Sequence, residues 1–249
     1  MTVQDIYDFL NQYCPFELAE EWDNPGLNVG NAGRPVSKVL LALDLTLEVI
    51  EAAKEMGADL IITHHPVIFE PLSNLNDTTV EGARVLALAQ SGLAHIACHT
   101  NLDAAQGGVN DVLAACCGLT EVQPVAGLGR MGLTHTTLPQ LAQQLKKALP
   151  AQSCVGVCCN PKVEKVAVIG GSGGSLLQEV AAAGCDTLVT GEAKYSQLLN
   201  ARELGVNVLV LGHYETEYPV LAPLAKALDR HFKDLTVCVM PVKSPVESF

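Results

Sequence analysis

His64 and His65 stand side by side behind an apolar run, and two further histidines each precede a carboxylate by four residues: His99 with Asp103 in CHTNLD, and His213 with Glu217 in GHYETE. Neutral imidazole and carboxylate are ligands for zinc, iron, manganese and similar divalent ions, and a group without thiolate leans away from a purely structural zinc site. Adjacent side chains on an extended segment point to opposite faces, so His64 and His65 are expected to serve two ions, one each. If the chain turns helical at Tyr214, His213 and Glu217 fall one turn apart on one face and can bind together. A carboxylate such as Glu217 can bridge two cations, with Asp103 on one of them, giving a pair about 3.5–4 Å apart that activates a water.

The elements that must carry these residues come from a duplication. Ser37 to His65 recurs without a gap as Glu164 to Glu192, so that Lys38, Val39, Gly57, Asp59 and Thr63 reappear as Lys165, Val166, Gly184, Asp186 and Thr190. With a one-residue slip, His99 and Asp103 match His213 and Glu217. The pair His64-His65 has no such match, because Gly191-Glu192 stands in its place. KVLLAL (38–43), DLIIT (59–63) and AHIAC (94–98) read as buried strands, with helical spacing from Thr46 to Met56 and from Thr79 to Gln90 between them. Thr46 suits an N-cap and Gly57 a helix stop. KVAVIG, DTLVT and NVLVLG repeat the plan at 165–170, 186–190 and 207–212. Strands apolar on both faces suit a parallel sheet covered by helices, and ligands gather at the carboxyl ends of such strands, where the histidines fall. The expected fold is α/β: two related, internally duplicated lobes with mainly parallel sheets and a dinuclear metal site between them. The Gly- and Pro-containing stretch near 124–132 suggests a first lobe of 1–126 and a second of 127–249, with the C-terminal strand LTVCVMPV pairing with either.

The chain has 249 residues, 49% of them hydrophobic, enough for a well-filled core. Its 15 basic and 27 acidic residues give a net charge of −12. That balance, with no dense basic cluster, argues against nucleic acid as a partner. It leaves anionic small molecules open, because a divalent metal supplies positive charge locally. No run approaches a membrane span, and MTVQDIYDFLNQY lacks a signal-peptide pattern, so a cytoplasmic protein is expected. The nine cysteines are odd in number, show no C-x-x-C and lie mostly in apolar stretches, as reduced core thiols do. The glycines of AAQGGVND and of GGSGG (170–174) read as loop formers first and anion cradles second; GGSGG lacks the Lys-Ser/Thr of a P-loop.

WDNPGLNVG (22–30), ITHHPVIF (62–69), HTNLDAAQGGVND (99–111), GLGRMG (127–132), TGEAKY (190–195) and GHYETE (212–217) together resemble the ordered motifs of the Nif-three-like proteins, also called the dinuclear metal centre family or GTP cyclohydrolase I type 2 homologs. The resemblance spans nearly the whole chain. It implies two related α/β lobes, a homohexamer as partner state, and two divalent ions (zinc, iron or manganese) on His64, His65, Asp103, His213 and Glu217. Ser196 stands where many members carry histidine. His99 is motif-bound without being a family ligand, so His99 and Glu192 are the expected proton-transfer residues. The implied activity is hydrolysis of a nucleotide such as GTP, with attack at C8 of the purine and loss of formate. A metal-dependent phosphoester hydrolase acting on a phosphorylated small molecule, and a non-catalytic metal-handling or scaffold protein, are the alternatives.

Overall fold

The computed structural model describes residues 1–241 and 244–247. Two compact units emerge: one runs from Met1 to Ala105 and resumes at Leu221, the other runs from Gln106 to Val220. One cut at 126/127 thus does not describe the chain, which passes between the units after Ala105, after Val220 and again before Ser244. The Gly-rich stretch that suggested this cut is the turn and first residues of a hairpin inside the second sheet. Glycine marks tight turns within a sheet as readily as it marks boundaries.

In the first unit, α1 (Val3–Tyr13) opens on a capping box between Thr2 and Asp5 and buries Val3, Ile6 and Leu10. There follow β1 (Gly26–Val29), β2 (Lys38–Ala42), α2 (Leu47–Glu55), β3 (Leu60–Thr63), α3 (Val80–Ser91), β4 (Ala94–Ala97) and the short α4 (Thr100–Ala104). The strands β2, β3 and β4 are parallel neighbours, and β1 is antiparallel on the outer side of β4. Thr46 and Thr79 cap α2 and α3, their hydroxyls accepting from Val49 N at 3.2 Å and Gly82 N at 3.1 Å.

The second unit holds α5 (Val109–Cys116), β5 (Thr120–Val125), β6 (Gly129–Thr137), α6 (Leu138–Ala148), β7 (Val155–Val157), β8 (Lys162–Ile169), α7 (Leu177–Ala182), β9 (Thr187–Thr190), α8 (Tyr195–Leu204), β10 (Asn207–Val210) and α9 (His213–Glu217). Its sheet order is β5-β6-β8-β9-β10-β7. Only β8, β9 and β10 are mutually parallel; β5, β6 and β7 pair antiparallel, so this sheet is mixed rather than mainly parallel. Alternation along β8 sends Val166 and Val168 to one apolar cluster and Ala167 and Ile169 to another, so both faces are covered. The chain then continues through α10 (Leu221–His231) to β11 (Thr236–Val239), which pairs parallel with β2 and settles the C-terminal strand on the first sheet.

The duplication is structural. Val39 faces Leu60 and Ala42 faces Thr63 in β2–β3, while Val166 faces Thr187 and Ile169 faces Thr190 in β8–β9, the same register residue for residue. Asp59 Oδ2 accepts from Ser37 N at 2.8 Å and Lys38 N at 3.2 Å; Asp186 Oδ2 accepts from Glu164 N and Lys165 N, both at 2.8 Å. Lys38 Nζ donates to Met56 O and Lys165 Nζ to Ala183 O, both at 2.6 Å. The glycine after each of those carbonyls, Gly57 or Gly184, has φ of 67° or 74°, the left-handed turn that stops the helix. The shared Lys, Gly and Asp of the repeat are therefore crossover residues and not ligands.

His95 on β4 is fully buried, with Nε2 2.7 Å from Thr63 Oγ1. That hydroxyl donates to His65 O at 2.5 Å, so it accepts from a neutral Nε2–H of His95. Burial pushes the His95 pKa down to about 3 from 6.5. Between those values the unfolded chain binds a proton that the folded chain refuses, so this residue makes stability fall as pH drops below about 6.5. Urea unfolding between pH 7 and 5 should show a wild-type slope steeper than that of His95→Gln, by at most about 1.4 kcal/mol per pH unit. Equal slopes would mean that His95 takes up its proton in the folded state.

Candidate metal centre

The first unit gathers its donors where β2, β3 and β4 end. The chain leaves β3 at Thr63 and bends, so His64 and His65 do not alternate across a strand as expected: their rings lie side by side, centroids 4.9 Å apart. His99, the N-cap residue of α4, brings a third ring 5.2 Å from His64 and 5.4 Å from His65. One ring nitrogen from each of the three falls within 4.8 Å of the others, close enough to be reached from one ion. Asp103 on α4 is buried, with Oδ1 3.7 Å from His64 Nε2.

Each of these rings is held by Nδ1. His64 Nδ1 lies 2.8 Å from Cys98 O, His65 Nδ1 lies 2.8 Å from Asp44 Oδ1, and His99 Nδ1 lies 2.7 Å from Asp23 Oδ1. A proton on Nδ1 satisfies all three and makes Nε2 the basic nitrogen, the usual tautomer and outer support of a metal-binding histidine. Burial pushes the Asp23 carboxyl up, but hydrogen bonds from His99 and Thr100 outweigh it and bring its pKa down to about 2. Burial pushes His99 down beyond what Asp23 restores, and His64 and His65 add to that, so the pair is neutral imidazole on carboxylate. Asp23 and Asp44 went unassigned in the sequence. Asp44 had a signal, since it follows β2 at the same strand edge as His64; Asp23 sits in WDNPG with no local cue to a partner far along the chain.

The second unit builds its group differently. His213 and Glu217 are the first and last residues of α9, with Nε2 3.1 Å from Oε2, as their spacing predicted. His213 Nδ1 is 3.4 Å from Glu192 Oε2, which also accepts from Ser172 Oγ at 2.7 Å. Glu192 thus stands behind His213 as Asp44 stands behind His65. The slip in the repeat has a structural position: Cys98 N donates to Thr63 O and Leu211 N to Thr190 O, which makes Gly212, and not His213, the counterpart of His99. The second histidine and carboxylate lie one residue further along their helix than the first.

Asp44, His64 and His65 have Gly171, Gly191 and Glu192 as repeat counterparts. Gly171, at φ 57°, has no room for a side chain: a Cβ there would overlap Glu217 Oε1 and come within 3.0 Å of His213 Nε2. GGSGG is no anion cradle either. The amides of Gly170, Gly171, Gly173 and Gly174 go to Asn110 Oδ1, Thr216 Oγ1, Thr190 Oγ1 and Glu192 O. The Gly107 amide is likewise taken, by Asp111 Oδ2.

The Duf34/NIF3 (NGG1p interacting factor 3) family model matches residues 1–245. The chain belongs to this family. Among NIF3 relatives, a GTP cyclohydrolase 1 type 2 homolog of Clostridium perfringens is 34% identical over 99% of both chains, and a GTP cyclohydrolase 1 type 2 of Helicobacter pylori is 31% identical over 98% of both. The crystal structure of a Staphylococcus aureus hypothetical protein, 30% identical, matches with a TM-score of 0.92 over 100% of this chain and 99% of that one. The donors described above therefore sit in a NIF3 scaffold. Among the described residues, no helix is long and apolar enough to cross a membrane.

Gly171→Ala should expose the constraint on the second group. A left-handed backbone costs an L-residue about 1–2 kcal/mol, and the added methyl must displace the Glu217 carboxylate. Urea unfolding should show at least that loss, together with reduced metal content by elemental analysis. A variant with wild-type stability and full metal would show that Glu217 has room to move.

Proposed function

We propose that this protein is a dinuclear metal-dependent hydrolase of the GTP cyclohydrolase 1 type 2 kind, with His64, His65 and Asp103 of the first unit and His213 and Glu217 of the second holding two divalent ions. The observation that carries this reading is the tethering of every motif histidine through Nδ1, which presents Nε2 as a ligand beside buried carboxylates. Such N and O donors suit zinc, iron or manganese. Neither unit alone offers the ligands for two ions, which is why we assign them to a shared centre. The relative from Helicobacter pylori, named GTP cyclohydrolase 1 type 2, supports GTP as the substrate.

Bound divalent ions would supply Lewis acidity and a nucleophile near neutral pH. In this reading His99, oriented by Asp23, takes and returns a proton at Nε2 as one water adds to C8 of the purine and opens the imidazole ring to a formamide, and again as a second water hydrolyses that formamide to formate and the free amine. Asp23 keeps that nitrogen basic; an amide in its place removes the charge and the preference for Nδ1–H. Asp44 and Glu192 orient His65 and His213.

Metal-loaded protein should release formate from GTP. His65→Ala should lose at least an order of magnitude in turnover, about 1.4 kcal/mol of barrier. Glu217→Ala should lose most bound metal by elemental analysis. Asp23→Asn should keep its metal yet lose turnover, which separates proton transfer from ligation. If no nucleotide is consumed while apo-proteins gain metal from this one, metal delivery replaces the hydrolase reading.

A further inference from the structure

A cavity of about 660 Å³ opens in the first unit beside His65. Its size falls within the range of small-molecule sites. Phe69 lines it, and Phe69 packs edge-on against Trp22 with ring centroids 5.8 Å apart. Both rings are about half exposed, at 46% for Phe69 and 58% for Trp22, an unusual use of large aromatics unless something covers them. Arg84, at the second turn of α3, lines the cavity together with Glu70 and Glu81. No hydrogen bond or ion pair engages these three side chains among the described residues.

We infer that this cavity receives an amino-substituted planar heterocycle, a guanine-type base, and so selects the substrate at the site of His65. This builds on the hydrolase reading, because it names the part of the substrate that the cavity takes. A cavity lined by three carboxylates, Asp44, Glu70 and Glu81, and one guanidinium is a poor seat for a triphosphate, which the carboxylates would repel. The same set matches a guanine edge, whose N1–H and 2-amino group are donors for a carboxylate and whose O6 and N7 accept from an arginine. The half-exposed ring of Phe69 supplies apolar surface against which a planar ring can pack. Glu70 and Glu81 are assigned to the donor edge and Arg84 to the acceptor edge.

Trp22 is the single tryptophan of the chain, so intrinsic fluorescence reports this corner of the molecule directly. Titration of the full-length protein with guanosine, inosine and adenosine tests the base alone, without phosphates to bind metal. Guanosine should change the emission saturably. Inosine, which lacks the 2-amino group, should bind about ten-fold more weakly, and adenosine more weakly still. Arg84→Gln should weaken guanosine about ten-fold, and Glu70→Gln with Glu81→Gln should erase the preference for guanosine over inosine, while circular dichroism and unfolding stay as in the wild type. No saturable change, equal affinity for the three nucleosides, or wild-type guanosine affinity in Arg84→Gln would overturn the assignment. Formate release from GTP is read separately. Turnover with unaltered kcat/KM in Arg84→Gln retains the hydrolase and removes this cavity from it; selective guanosine binding without GTP turnover does the reverse.

Discussion

The site rests on the register of a parallel strand pair, whose backbone ladder is tied at its start by one carboxylate. Asp59 Oδ2 binds the amides of Ser37 and Lys38, tying the start of β3 to the start of β2. A slip of one residue would turn every side chain of β3 to the opposite face, so the clamp also decides what stands at the far end. There the ladder continues past the strands: His65 N donates to Leu43 O, and Cys98 N to Thr63 O. These bonds bring Asp44 to His65 Nδ1 and Cys98 O to His64 Nδ1. The ring orientations are thus inherited from the sheet.

The second unit keeps the clamp and changes the chemistry. Asp186 repeats the bonds of Asp59 and β8–β9 repeats the register of β2–β3, yet glycine stands at the positions of Asp44 and His64. The space left by Gly171 and Gly191 is filled from α9: Glu217 and His213 crowd Gly171, and Thr216 crowds Gly191. One copy presents donors from strand ends and the other from a helix, on the same crossover scaffold. The Lys, Gly and Asp that build the crossover are the same in both copies, while the residues at the strand ends differ.

The donor types, the duplication and the α/β class were legible in the sequence because each is local. Apolar runs of strand length, Thr46 ahead of a helical period and the four-residue step from His213 to Glu217 carry their geometry in their spacing, and the structure returns them nearly unchanged. Three of the five expected ligands belong to the first unit and two to the second, and His99 adds a third ring to His64 and His65. What the sequence left open was nonlocal. Whether His64 and His65 share a face depends on a bend after Thr63, not on strand alternation. Asp23 meets His99 only because β4 and the loop before β1 pack together, and Glu192, picked out for proton transfer, lies behind the His213 ring. The boundary of the units and the pairing of β11 with β2 rest on contacts between segments far apart in the chain. Residue type sets which chemistry is available; only the tertiary structure decides which nitrogen faces which oxygen, because those distances are closed by hydrogen bonds between residues far apart in the chain.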